Sequence, residues 1–241
     1  MDSENTPLLP HGGYRKLRSY QVAEAVYDAT VVFCRRFLSG DRRTTDQMVQ
    51  AARSGVRNIS EASGAAATSR KTEMKLTNVA RASLNDELLR DYESFLRQNG
   101  LRVWAKDSRL ALAMRKRLAQ DDARNVPSPT AGTVRLTGLA GLADFVAKAQ
   151  PEIAANAMIC AVHQAAYLLR RQIDSQARQF MRDGGFTENL YRKRVQARQA
   201  QGRRRVDRFN ASDPSGRPDP SDRPDPSDQS DKSDKSDPSD E

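Results

Sequence analysis

The densest run of side chains able to do chemistry lies near the end of the chain. Arg192, Lys193, Arg194, Arg198, Arg203, Arg204, Arg205 and Arg208 stand there against only Glu188 and Asp207. Guanidinium groups pair with phosphate in a fixed fork and stack on bases, so such a segment reads as one that orders when it meets RNA. A solvated, frayed terminus is the competing reading of the same charges. Two further sets sit at helical spacing. Gln50, Arg53 and Arg57 form one, and Lys71, Lys75, Asn78, Arg81 and Asn85 form the other. On the first set alone, an exposed face with no partner is an equally ready reading.

Enzymatic chemistry finds little to work with. The histidines are His11 and His163, the latter beside Gln164 in a helical pattern and read as a hydrogen-bonded interior or surface residue rather than a ligand. No G-x-S-x-G, G-x-x-x-x-G-K or H-E-x-x-H occurs, and no Gly-rich strand turn suggests a nucleotide fold. The pairs Glu24 with Asp28 and Glu87 with Asp91 read as exposed charge rather than acid/base machinery. Cys34 and Cys160 lie in apolar helical patterns without C-x-x-C spacing, as buried free thiols would. The expectation is a non-enzyme without cofactor, metal or catalytic residues.

Charge is distributed unevenly. The 241 residues carry a formal net charge of +9, yet residues 211–241 hold ten acids and four bases, which leaves 36 bases and 21 acids in residues 1–210. A body that cationic attracts polyanions, nucleic acid first and an anionic membrane surface second. No leader-like start and no apolar run near the ~20 residues of a membrane span is present, so no membrane partner is expected and a cytoplasmic location is.

The elements that must position these charges are helical throughout. Residues 1–16 read as a disordered arm. Val22, Val26, Ala29, Phe33 and Phe37 predict a helix over 19–38 that Ser39-Gly40-Asp41 ends. Thr44 is the expected cap of a second helix, with Gln47 reaching back to it and Met48, Ala52, Val56 and Ile59 as its apolar ridge. Gly55 costs that helix about 1 kcal/mol relative to Ala, which predicts close packing at this point. A third helix over 69–98 has the stripe Leu76, Ala80, Leu84, Leu88, Tyr92 and Phe95 and stops at Asn99-Gly100. A shorter helix over 108–120 places Leu110, Met114 and Leu118 together. Residues 121–136 read as a linker, followed by a weak helix over 139–148 and a strong one from Pro151 to Gly184-Gly185. The last helix is expected to start at Thr187, with Phe186 and Tyr191 as a hydrophobic staple, and residues 211–241 to be a disordered acidic tail.

The run Thr45-Asp46-Gln47-Met48-Val49-Gln50-Ala51-Ala52-Arg53-Ser54-Gly55-Val56-Arg57-Asn58-Ile59-Ser60-Glu61 resembles the R-A-x-x-S-x-x-x-N-I-A-E-G signature of the four-helix-bundle proteins encoded in intervening sequences of 23S ribosomal RNA genes. Leu76 to Leu84 is similar to that family's third helix, and Asn156-Ala157-Met158, His163-Gln164-Ala165 and Gly184-Gly185-Phe186 resemble its extended branch, the four-helix-bundle suffix proteins. Ala62 replaces the signature glycine, and Ser60 stands where alanine is usual. The family includes the accessory variability protein of diversity-generating retroelements, a five-subunit ring that binds RNA and partners a reverse transcriptase. The resemblance implies an all-α, up-down four-helix bundle with its core at 17–120 and a helical suffix region at 137–210. It also implies a homo-oligomer, a pentamer by analogy with that ring, that binds template RNA and the polymerase. Arg53, Arg57, Arg70, Lys71, Lys75 and Arg81 become candidates for that basic surface by the same resemblance. The rival expectation is a protein-interaction adaptor that binds no nucleic acid.

Overall fold

A computed structural model describes residues 12–119 and 138–212, with side chains through residue 204. The linker expected at 121–136, the first part of the arm with His11, and nearly all of the acidic tail lie outside the described residues. All regular structure among the described residues is helical, and those up to Arg192 form one compact unit while those from Lys193 to Ser212 belong to another.

Helix α1 (Arg18–Phe37) follows a 3-10 turn at Tyr14–Lys16 and buries Val22, Val26, Ala29 and Phe33, four of the five residues its spacing selects. Phe33 is the hub of an aromatic cluster, 4.9 Å from the ring centroids of Phe37, Tyr92 and Phe95. Such pairs add roughly 0.5–1.5 kcal/mol each beyond the area they bury. The hydroxyl of Tyr92 donates to Thr30 Oγ1 at 2.9 Å, so a polar tip at zero exposure is satisfied.

Helix α2 (Arg42–Ala65) starts earlier than its spacing predicts. The carboxylate of Asp41 accepts the Thr44 N–H at 3.0 Å, so Asp41 is the cap and Thr44 lies inside the helix. Aspartate wins because its charge also suits the positive end of the helix dipole. Helix α3 (Arg70–Ala82) is capped by Ser69 and runs through a π-helical segment, Ser83–Leu88, into α4 (Leu89–Gln98). The apolar periodicity predicts one uninterrupted α-helix here. The wider turn changes the helical phase, and Leu84, Leu88 and Leu89 are all buried around it. Asn99-Gly100 does end the rod, with Gly100 at φ 67.

Helix α5 (Arg109–Ala119) buries Ala111, Met114 and Leu118, while Leu110, expected on that face, is 58% exposed. After α6 (Leu142–Lys148) comes α7 (Pro151–Asp183), with proline in its first turn as expected. Every residue from Ala154 to Val162 is buried, so this stretch is enclosed on all sides rather than along one stripe. It packs against α1, α3, α4 and α5, which makes α7 part of the same core as the helices before it. Asn156 ties it down further, its amide donating to Arg102 O and its carbonyl accepting the Trp104 N–H, both at 2.8 Å.

Helix α8 (Phe186–Ser212) begins one residue before the expected cap. The Glu188 carboxylate accepts the Gly185 N–H at 3.0 Å, and Tyr191, expected in a staple, is 71% exposed. The helix reaches Ser212, two residues into the segment expected to be disordered.

Candidate nucleic-acid interface

The exposed ridge of α2 is set by what lies behind it. Gly55 is buried against Leu84, whose Cγ and Cδ2 stand 2.7 Å from where a Cβ would be. That contact turns Gln50, Arg53 and Arg57 outward, and all three are exposed. They line a shallow polar groove of about 210 Å³ together with Ser54, Asn58 and Glu61. Its floor is fixed by short-range bonds. The Asn58 amide donates to Ser54 O at 2.9 Å and Ser54 Oγ at 3.1 Å, and Ser83 Oγ donates to Ser54 Oγ at 3.2 Å. Arg57 approaches Glu61 at 4.0 Å with both side chains more than half exposed, a pair worth little in water. Arg53 has no ion pair among the described residues.

The α3 candidates separate into two groups. Lys71 and Lys75 are exposed and unpaired among the described residues. Arg70 is not available in the same way. Its guanidinium pairs with Glu73 at 3.0 Å, the two side chains being 14% and 11% exposed. Glu73 accepts from the Gln176 amide at 3.0 Å, and that amide also donates to Thr77 Oγ1 at 3.2 Å. Arg70 therefore closes a polar cluster between α3 and α7. Removing it would leave a buried carboxylate short of a partner, a situation that costs several kcal/mol in general. Arg81 is intermediate, donating to Asn78 Oδ1 at 3.1 Å and lying 4.0 Å from Asp86.

In α8, Arg192 donates to the Asp183 carbonyl at 3.1 Å and so helps close the end of α7. Taken by themselves, Lys193, Arg194, Arg198, Arg203 and Arg204 are exposed, and at 100° per residue they point around the whole circumference. The side chain of Arg205 lies outside the described residues. Apolar residues are sparse along this helix: Leu190 and Val195 are half-buried, and the other side chains of residues 191–204 are exposed.

Other chemistry-bearing groups do not converge. His163 is exposed, its pKa lowered by partial desolvation and then by the charge of Arg115. Asp28 and Asp91 are pushed up, first by desolvation and second by the neighbouring Glu24 and Glu87. Glu24, Asp28 and Glu87 are exposed. Both thiols are free and buried, and burial raises that of Cys34 to about 12. Among the described residues no three His, Cys, Asp or Glu side chains come together, and no helix is long and apolar enough to cross a membrane. Spacing arguments missed two further arrangements, the Glu73–Gln176 cluster and a cap in which Arg36 donates to the carbonyls of Val146 and Ala149. Both join residues over a hundred positions apart, beyond any local pattern. No protein-family model, curated protein or solved structure matches the chain.

Proposed function

We propose that this protein is a non-enzymatic RNA-binding accessory factor that holds a structured or template RNA for a reverse transcriptase of the diversity-generating-retroelement type. The observation that carries the reading is the α2 ridge, where Arg53 has no ion pair among the described residues and Arg57 is only weakly paired over a polar groove. Exposed Lys71 and Lys75 and the all-round cationic α8 add to it. The resemblance of residues 45–61 and 76–84 to the ribosomal intervening-sequence family supplies the rest: an up-down four-helix bundle, a pentameric assembly, a polymerase partner and a cytoplasmic setting. Assembly would multiply modest patches into one continuous surface, and affinity by phosphate neutralisation grows with the number of contacts.

The reading is tested by titrating labelled single-stranded RNA with the full chain at several salt concentrations. Each phosphate contact contributes about −0.7 to the slope of log affinity against log salt, so Arg53→Ala with Arg57→Ala should flatten that slope by about 1.4. Binding that is flat in salt, or unmoved by the double substitution, refutes the ridge as the site. Exposed Leu110 and Leu112 on α5 favour the adaptor reading, in which a protein and not RNA is held. Capture of the polymerase without any affinity for RNA would decide for it.

A further inference from the structure

The second half of α7 carries a surface that neither the α2 ridge nor α8 includes. His163, Tyr167, Arg170, Asp174, Arg178 and Met181 recur at spacings of three and four, and all are exposed. They form one outward stripe about 27 Å long. Tyr167 is 59% exposed, and the Arg171 guanidinium stands 5.9 Å from its ring centroid. The stripe begins near two more cations and one acid, since desolvation and then the charges of Arg115, Glu93 and Lys106 act on His163. The core has no use for this tyrosine, because the opposite face, Ala165, Ala166 and Leu169, is what α7 buries.

Resting on the nucleic-acid reading above, we propose that this stripe is a stacking platform for single-stranded RNA, with Tyr167 receiving a base and Arg170, Arg171 and Arg178 following the phosphates. An aromatic face flanked by cations is the combination that holds unpaired strands, because every base has a π-face and every linkage a charge. Duplex RNA cannot use the ring, since its bases are already stacked and its major groove is too narrow for side chains. A protein partner fits less well. Arg170, Arg178 and the adjoining Arg171 outnumber Asp174 and the neighbouring Glu93, and the large apolar groups on the stripe are Tyr167 and Met181, too little for the desolvated centre of a protein interface.

The test compares wild type, Tyr167→Ala and Tyr167→Phe, all as the full chain, by anisotropy with a labelled single-stranded oligouridine and with a blunt RNA duplex of the same length. Tyr167→Ala should weaken single-strand binding roughly five- to 150-fold, the range for loss of one stacked base. Tyr167→Phe should restore it, and duplex binding should not move. Unchanged helical circular dichroism is expected of both variants. Equal affinity of all three proteins for the single strand overturns the platform, as does an equal loss on both RNAs. If Tyr167→Ala spares RNA but lowers capture of the polymerase, the stripe is a protein contact and the proposal falls. Failure of wild type to bind either RNA would instead overturn the parent reading, and this one with it.

Discussion

Replacing Gly55 by alanine sets two effects of known size against each other. Helix propensity favours alanine by about 1 kcal/mol at an interior position. Against it, the new Cβ would lie 2.7 Å from both Cγ and Cδ2 of Leu84 and 3.1 Å from Cδ1. Cγ sits next to the backbone and cannot swing away alone. Leu84 has zero exposure, and Ser83 and Leu88 on the same π segment are buried too, so the side chain has no solvent to retreat into. Overpacking a tight core costs roughly 1–3 kcal/mol, and a clash with two atoms so near the branch point belongs in the upper part of that range. The net is a loss of about 1–2 kcal/mol. For a unit of this size each kcal/mol moves the melting temperature by about 2–4 °C, so a drop of about 2–8 °C is expected in thermal circular dichroism. Leu84→Ala alone should cost about 2–5 kcal/mol through the cavity it opens. In that background Gly55→Ala should stabilise, because the clash is gone and the propensity gain remains. A Gly55→Ala protein that melts at or above the parent temperature would refute the reasoning. So would a double variant less stable than Leu84→Ala.

The Asp41 carboxyl is held below its ordinary 3.8 by bonds from Thr44, side chain first and backbone second. A depressed folded value means the cap contributes in full above the ordinary pKa and is lost as pH falls through the folded one. Asp41→Asn should therefore flatten the acid limb of the stability profile, and an Asp41 resonance titrating at or above 3.8 would contradict the capping geometry. Cys34, raised to about 12 by burial, and Cys160, also raised, should resist iodoacetamide in the native protein near about pH 8 and react on unfolding. Rapid stoichiometric alkylation without denaturant would show that the α1–α2 and α5–α7 packing opens far more readily than the buried sulfurs require.

Helix existence was legible because it rests on local periodicity. Val22, Val26, Ala29 and Phe33 are buried as their spacing requires, and Asn99-Gly100 and Pro151 punctuate where their backbone chemistry dictates. Boundaries were less so. The spacing places Asp41 in the stop of the first helix and Thr44 at the start of the second, whereas the Asp41 carboxylate accepts the Thr44 N–H and is itself the cap. The π segment was not legible at all. Its sequence, Ser83-Leu84-Asn85-Asp86-Glu87-Leu88, keeps an acceptable α pattern, and the wider turn accompanies the packing of Leu84 on Gly55 from a different helix.

The basic residues show the same division between local and distant causes. Arg53 and Arg57 are exposed because their own helix turns them outward, which spacing alone can predict. Arg70 occupies an equally plausible position in the sequence, but it is drawn inward by Glu73, and Glu73 is anchored by Gln176, a residue 103 positions away. A count of cations therefore overstates the free charge of this surface. Arg36, Arg70 and Arg192 are engaged by carbonyls or a carboxylate within the fold, and Arg36 also lies 4.6 Å from the Phe37 ring centroid. What distinguishes an arginine available to phosphate from one that holds helices together is whether a distant acceptor has already claimed it. By that criterion Arg53, Lys71 and Lys75 are the stronger members of the predicted set, and the α7 stripe enters only once the helix is seen to bury its opposite face.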